Sequence, residues 1–359
     1  MAEGRVRHLF PGGNTSLGFF SYYHHIISQR EADRICIIKG GPGVGKSTFM
    51  KRIGKEMEDR GFDVEYLHCS SDPGSLDGIL IPQIMTAFID GTAPHVVDPK
   101  NPGAVDEILN FGVFWDEAGI RAHKDDIIKT NREIGYIFER AYRYLRAAHT
   151  IYEGSAAIYR DAMITGKLNA FAAGLIGEIF SGASVGAVGR ERKMFLSALT
   201  PEGFVNYLDT VMTAERVYAF KGQLGTGEDR ILEKIRAAAI ERGYYVEGYY
   251  CALDPHRLEH LVIPGLDIGF TTANRYHDAG IESAVSVDME EYMDERKLGR
   301  YRDDLTENQA EVDDLLSTAL STIHRAKALH DQLETYYIPH IRFREIDGYF
   351  DLILDRILH

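Results

Sequence analysis

Gly40-Gly41-Pro42-Gly43-Val44-Gly45-Lys46-Ser47 is the stretch whose reading decides the fold. It repeats the spacing of a phosphate-binding loop, a Gly followed after four residues by Gly-Lys-Ser. Each residue type has a physical task. The glycines permit backbone conformations that turn successive N–H groups toward a common centre, where they can cradle phosphate oxygens. A helix that opens at Lys46 adds the positive end of its dipole. Lys46 supplies a mobile cation for the β and γ phosphates, and the Ser47 hydroxyl is a magnesium ligand. The context agrees: the apolar run 35–38 reads as a buried strand, and 46–60 as a helix stopped by Gly61. Gly40, Gly41, Pro42, Gly43, Val44, Gly45, Lys46, Ser47 and Thr48 are therefore the expected nucleotide-binding set. The chemistry also needs a carboxylate at the end of a neighbouring strand. Residues 87–92 (Ala-Phe-Ile-Asp-Gly-Thr) offer Asp90, which with Ser47 forms the expected magnesium site and with Lys46 the expected catalytic pair.

Working outward, the chain is a tandem duplication. A register that takes Lys39 to Lys221 aligns two stretches without a gap. Gly40, Gly43, Gly45, Arg60, Gly61, Val64 and Glu65 fall on Gly222, Gly225, Gly227, Arg242, Gly243, Val246 and Glu247. Cys69, Asp72, Pro73, Phe88 and His95 fall on Cys251, Asp254, Pro255, Phe270 and His277. Upstream, 10–22 resembles 195–207, each ending in Gly-Phe-x-x-Tyr. Each copy reads as strand (35–38; 217–220), glycine loop, helix (46–60; 228–242) and second strand (64–69; 246–251), ended by an Asp-Pro turn. A third strand follows at 85–89 and 267–271. That order predicts α/β architecture with parallel sheets. Long amphipathic tails, 125–169 and 303–358, are read as helical extensions that pack the copies together. The expected domains are 1–190 and 191–359.

Comparison of the copies separates chemistry from scaffold. In the second, Glu228 stands at the position of Lys46, Asp229 at that of Ser47 and Thr272 at that of Asp90. Negative charge then sits where a γ phosphate would lie, so this copy is expected to be degenerate. By the same logic Cys69, Asp72 and His95, present in both copies, are structural. Ser70, Ser71 and Asp77 are candidate switch or nucleophile-positioning residues, and Asp72, Asp116 and Glu117 candidate water activators. His24-His25 and His68-Cys69 lack further ligands at metal spacing.

Composition bounds the rest. The chain has 359 residues, 45% hydrophobic and 26% charged, enough for two globular cores. A net charge of -14 argues against a nucleic-acid backbone as partner. Arg190, Arg192 and Lys193, interrupted by Glu191, are read as a solvated interdomain loop. Residues 170–189 carry Glu178 and too many glycines for a membrane span and read as a loose helix and linker. Three cysteines make neither a disulfide framework nor a four-ligand zinc site. With no apolar signal core after residue 7, a cytoplasmic location without a membrane partner is expected.

With these residues in hand the chain resembles the P-loop NTPase superfamily. More narrowly, Phe-Pro-Gly-Gly-Asn-Thr at 10–15 and Asp-Gly-Thr-Ala-Pro-His at 90–95 are similar to a bacterial family of duplicated P-loop ATPases. The resemblance implies tandem NTPase-like domains, and ATP and Mg2+ as ligands. The leading expectation is a Mg-dependent ATPase using the first copy, the second being regulatory or structural. Two alternatives stand beside it: a kinase holding a small-molecule acceptor between the copies, with Arg121 or Arg132 as lid, and a non-catalytic nucleotide switch with a protein partner.

Overall fold

A computed structural model describes residues 4–93, 96–181, 186–223, 225–277 and 284–358. In the first copy the strands β1 (Val6–Leu9), β4 (Arg34–Lys39), β5 (Val64–Cys69), β6 (Asp72–Ile81), β7 (Thr86–Asp90) and β8 (Asp106–Asn110) form one six-stranded sheet in the order β1-β5-β6-β7-β4-β8. A hairpin of β2 (Gly12–Thr15) and β3 (Gly18–Ser21) stands apart. The second copy repeats this arrangement. Its hairpin is β10 (Ser197–Thr200) and β11 (Gly203–Asn206). Its sheet is β9 (Glu191–Met194), β13 (Val246–Tyr250), β14 (Leu258–Ile263), β15 (Ile268–Ala273), β12 (Arg216–Lys221) and β16 (Val285–Asp288), hydrogen-bonded in that order. Even the registers correspond: Ile38 faces Asp90 in one sheet and Phe220 faces Thr272 in the other.

The sheets are mixed and not parallel throughout. β6 runs antiparallel to both β5 and β7, as β14 does to its neighbours. The Asp72-Pro73 pair does mark a turn, but the chain reverses through Ser70 and Ser71 and re-enters the sheet at once. Pro73 is tolerated because Cys69 pairs with Asp72 and His68 with Leu76, which leaves residues 73–75 as a bulge without ladder partners. The remaining neighbours, including β4 with β7 and β8, are parallel.

Helix α1 (Lys46–Asp59) follows the first glycine loop and α6 (Glu228–Glu241) the second. Each lays an apolar face on its own sheet: Phe49, Met50, Ile53 and Met57, and Ile231, Leu232, Ile235 and Ala239, are all buried. The outer cover of these helices is exchanged between the copies. The first tail comprises α3 (Lys124–Ala162) and α4 (Thr165–Ile179), after the short α2 (Glu117–Ala122). Leu168, Ala172, Leu175 and Ile179 of α4 share a core with Ile231, Leu232 and Ile235 of the second copy. The short helices α5 (Leu208–Val211) and α7 (Glu295–Leu298) precede the second tail, α8 (Arg302–Glu334) and α9 (Phe343–Leu358). Ile346, Phe350 and Ile353 of α9 share a core with Phe49, Met50 and Ile53 of the first copy, and Arg52 lies 4.0 Å above the Phe350 ring. Between these caps α3 and α8 run antiparallel, pairing Ser155 with Asn308 and stacking His123 on Tyr336. The boundary near Arg190 therefore divides the sheets but not the cores.

The copies also meet at a shared apolar core, in which Leu9 and Leu67 pack with Leu196 and Tyr249, and at a bridge in which Phe10 and Phe195 exchange N–H···O bonds of 2.9 and 3.0 Å. Beside it lies a buried quartet of charges. Arg7 is paired with Glu65 and, at 2.8 Å, with Glu247. Arg192 lies 2.6 Å from Glu65 and 3.8 Å from Glu247. The basic segment is thus not a solvated loop, since 191–193 lie in β9: the Arg192 side chain is only 11% exposed, Glu191 pairs with Arg236, and only Arg190, before the strand, is exposed, against Glu31. Among the described residues no helix is long and apolar enough to cross a membrane.

Burial, the largest influence on Glu65, pushes its carboxyl up, but Arg192 and Arg7 together outweigh it and hold the group well below its usual range. The stability this group contributes is therefore complete above the ordinary carboxylate pKa and is lost as the pH falls through the depressed one. Arg192→Met leaves the two carboxylates with a single guanidinium. We expect a loss of about 3–5 kcal/mol in urea denaturation at neutral pH, and acid unfolding that begins at higher pH than in the parent chain.

Candidate functional site

The buried strand β4 ends at Lys39, and the chain turns through residues 40–45 before α1 begins. Gly43 and Gly45 hold φ of +66° and +88°, and their counterparts Gly225 and Gly227 hold +87° and +92°. Only glycine adopts such values without strain, so both loops keep one backbone shape. Gly45 is the N-cap of α1 and, having no side chain, leaves the first-turn N–H groups free to meet an anion.

Around this loop two of the expected residues, Lys46 and Asp90, meet. The Lys46 ammonium donates to the carbonyls of Gly40 at 3.1 Å and Gly41 at 2.8 Å, and lies 3.4 Å from Asp90 Oδ2. Its side chain is only 10% exposed, so this cation is held back against the loop by weak carbonyl acceptors and one carboxylate. Asp90 reaches it because β7 is parallel to β4 and ends level with it; Asp90 Oδ1 is fixed by the backbone N–H of Thr92 at 2.8 Å. The Ser47 hydroxyl accepts from the backbone N–H of Leu76 at 3.0 Å. Thr48 is exposed and Val44 is buried beneath the loop.

Several neighbours were not legible in the sequence. Thr92 Oγ1 donates to the Gly40 carbonyl at 3.0 Å, tying the loop to the strand that carries Asp90. The roof comes from the exchanged tail of the second copy. A Cβ added to Gly41 would meet the Tyr337 ring at 2.8 Å, one on Gly43 would meet Ile338 at 2.9 Å, and one on Gly45 would meet Phe343 at 3.6 Å. Trp115 lies beside Tyr337 over Gly41. No local pattern announces contacts made across nearly the whole chain.

The other candidates are placed elsewhere. Asp72 is held by Ser75 at 2.9 Å and by Lys327 at 3.5 Å. Asp116 caps α2 through the N–H of Ala118 at 3.1 Å, and Glu117 pairs with Arg121 on the surface. Arg132 is exposed on α3, and no hydrogen bond or ion pair joins it or Arg121 to the loop. Asp77 is buried on β6, and extending the register by one residue puts it opposite Asp90. Ser70 is buried, its carbonyl accepting from Asn14, and Ser71 is half-buried in the turn. Burial raises the Cys69 thiol well above its ordinary range. His68 contacts His8 and the Pro73 carbonyl, each at 2.9 Å, and His24 and His25 face each other on the rim of a cavity of about 480 Å³ lined by the paired quartet and by further charged side chains, among them Arg5, Glu31 and Asp63. His95 lies outside the described residues.

No family model matches the chain, and neither a curated protein nor a solved structure matches it.

In the second copy Glu228 is buried, with Oε2 3.2 Å from Thr226 Oγ1 and Oε1 3.2 Å from Arg257 Nη2. The same Arg257 nitrogen lies 3.2 Å from Glu259 Oε1. One guanidinium thus serves two carboxylates with Asp229 adjacent, and the group of charges is short of a cation. Burial first, and the Asp229 charge second, push the Glu228 carboxyl up to about 7. A carboxyl raised from its ordinary 4.5 to about 7 on folding costs stability as the pH climbs through that interval, because the folded state holds a proton that the unfolded chain has released. Glu228→Gln removes this dependence. The expected result is a Tm that exceeds the parent's at pH 8 and a flatter pH profile between about 4.5 and 7; an unchanged profile would place the proton elsewhere.

Proposed function

We propose that the chain is an ATP-binding protein that hydrolyses Mg-ATP at the first glycine loop, and that the second copy reads the nucleotide state through its exchanged tail. The observation that carries this reading is the Lys46 ammonium, nearly buried at the mouth of a glycine loop and 3.4 Å from a strand-end carboxylate. A cation held by carbonyl oxygens exchanges them readily for phosphate oxygens, to which it makes stronger, charge-assisted bonds. Charge that develops on a transferring phosphoryl group would then meet a preorganised donor in place of reorganising water.

The residues present also suit a magnesium ion. Ser47 Oγ takes one hydrogen bond from Leu76 and keeps a lone pair, and Asp90 uses Oδ1 on Thr92 while its other oxygen faces Lys46. Two hard oxygen donors of this kind, Ser47 and Asp90, would hold Mg2+. With nucleotide bound, such an ion would supply charge that neutralises the phosphates. Gly40, Gly41, Pro42, Gly43, Val44 and Gly45 contribute backbone and shape, and Thr48 a first-turn N–H.

A second reading, a switch that binds nucleotide without turnover, is favoured by the roof. Tyr337, Ile338 and Phe343 pack against the loop glycines, so a rearrangement of the loop on nucleotide binding would reach the tail of the second copy directly. Both readings share the binding site and differ in turnover. Phosphate release from Mg-ATP by the full chain separates them: release without an added acceptor supports hydrolysis, whereas saturable binding with no release supports the switch. ADP formation that requires an added metabolite would instead support a kinase.

Lys46→Ala is expected to abolish nucleotide binding and to lower any turnover by about 10²–10³-fold. Asp90→Asn is expected to raise the Mg2+ concentration needed for half-maximal effect. Glu228→Ala should leave nucleotide binding nearly unchanged, as read by titration with a fluorescent ATP analogue. Loss of binding in Glu228→Ala with retention in Lys46→Ala would reverse the assignment of the two copies.

A further inference from the structure

The second copy holds a group of side chains that the hydrolysis of a nucleotide does not use. Glu259 and His260 are consecutive on β14, and His277 comes from the segment after β15; all three are buried, at 1%, 1% and 3% exposure. Each offers one ligand atom, and these atoms all lie within 4.8 Å of one another. Glu259 Oε2 is 3.9 Å from His260 Nε2 and 3.4 Å from His277 Nε2.

Hydrogen bonding leaves this cluster incomplete. Among the described residues Glu259 Oε2 and His260 Nε2 have no hydrogen-bond partner, nor has His277 Nδ1. A buried polar atom without a partner costs of order 1–3 kcal/mol, and Glu259 Oε2 and His260 Nε2, 3.9 Å apart and both unpartnered, call for a common explanation. The hydroxyl contacts, in contrast, are made: His260 Nδ1, the nitrogen not facing Glu259, is 2.9 Å from Thr271 Oγ1, and His277 Nε2, the nitrogen that does face Glu259, is also 3.0 Å from Ser197 Oγ. The Thr271 hydroxyl fixes the His260 ring as an outer-sphere partner does around a bound metal, and Ser197 holds the His277 ring beside it.

Charge points the same way. Glu259 shares Arg257 with Glu228, so the neighbourhood has room for positive charge. We propose that Glu259, His260 and His277 bind one divalent metal ion of the zinc class. Two imidazoles and a carboxylate are the donors that borderline ions prefer over Mg2+ or Ca2+. Three protein ligands leave a coordination position open, and Glu259 and His277 both line a cavity of about 280 Å³ beside Cys251, Phe204 and Leu316. The site belongs to this copy alone: the aligned positions in the first copy carry Asp77, Gly78 and His95, so the second ligand is missing there. It does not depend on nucleotide binding at the first loop.

The test is Co2+ titration of the chelator-treated full chain without nucleotide, followed by visible absorption, with metal content of the untreated protein measured by mass spectrometry. The expected result is saturation at one equivalent, d–d bands of a four- or five-coordinate site, and displacement by Zn2+. His260→Gly, which reproduces the first copy, and Glu259→Gln should each remove the saturable signal, and Zn2+ should raise the Tm of the parent chain but of neither variant. If a variant does not fold, His260→Gln, which keeps the bulk of the side chain, provides the same readout. Absence of saturable Co2+ uptake by the parent chain, or uptake that survives all three substitutions, would overturn the site and leave a network of neutral imidazoles in its place.

Discussion

The four charges at the junction of the two sheets constrain everything else. Arg7 and Glu65 come from one copy, Arg192 and Glu247 from the other, and the short contacts at 2.6 and 2.8 Å cross between copies. Taking ions out of water is costly, so a buried quartet contributes less to net stability than to uniqueness: each arginine has to face both glutamates, and that condition admits one relative placement of the sheets. The exchanged tails reinforce it. With α4 on α6 and α9 on α1, neither half has a complete core without the other, and the loop of each lies under side chains belonging to its twin.

Within that frame the copies have diverged in chemistry while keeping geometry. The left-handed glycines, the strand order and the registers coincide, because they depend on backbone conformation and on apolar volume. What changed is the sign of the charge at the first helical position. Lys46 in one copy is held by loop carbonyls and Asp90; Glu228 in the other is buried, shares Arg257 with Glu259, and is pushed up to about 7 by burial and its acidic neighbour. In the second copy an internal guanidinium, Arg257, thus pairs with the acidic group at this position, whereas in the first a strand-end carboxylate, Asp90, pairs with the basic one.

How far the sequence discloses this depends on the range of each interaction. The strands 64–69 and 35–38, the helix opening at Lys46 and the repetition of the unit follow from local pattern, and the positions of Lys46, Ser47 and Asp90 follow from spacing. β6 was hidden because Asp72-Pro73 reads as a turn, and only the pairing of Cys69 with Asp72 shows that the bulge absorbs the proline. Arg192 reads as solvated because its charge is obvious in the sequence and its partners, Glu65 and Glu247, are not. The roof of Tyr337, Ile338 and Phe343 was out of reach altogether: amphipathic periodicity states that a tail has an apolar face, not which copy that face covers.

The exchange of tails has a consequence for how the chain is made. Arg52 and its partner Asp347 are 295 residues apart, and at ribosomal speeds about 15–60 s separate their emergence. Through that interval the outer face of α1 has no cover, and closing so long a loop delays the reward for ordering it. The N-terminal half must therefore wait as an incompletely packed intermediate during synthesis, a window in which a holdase or an early contact with the nascent second sheet would govern yield.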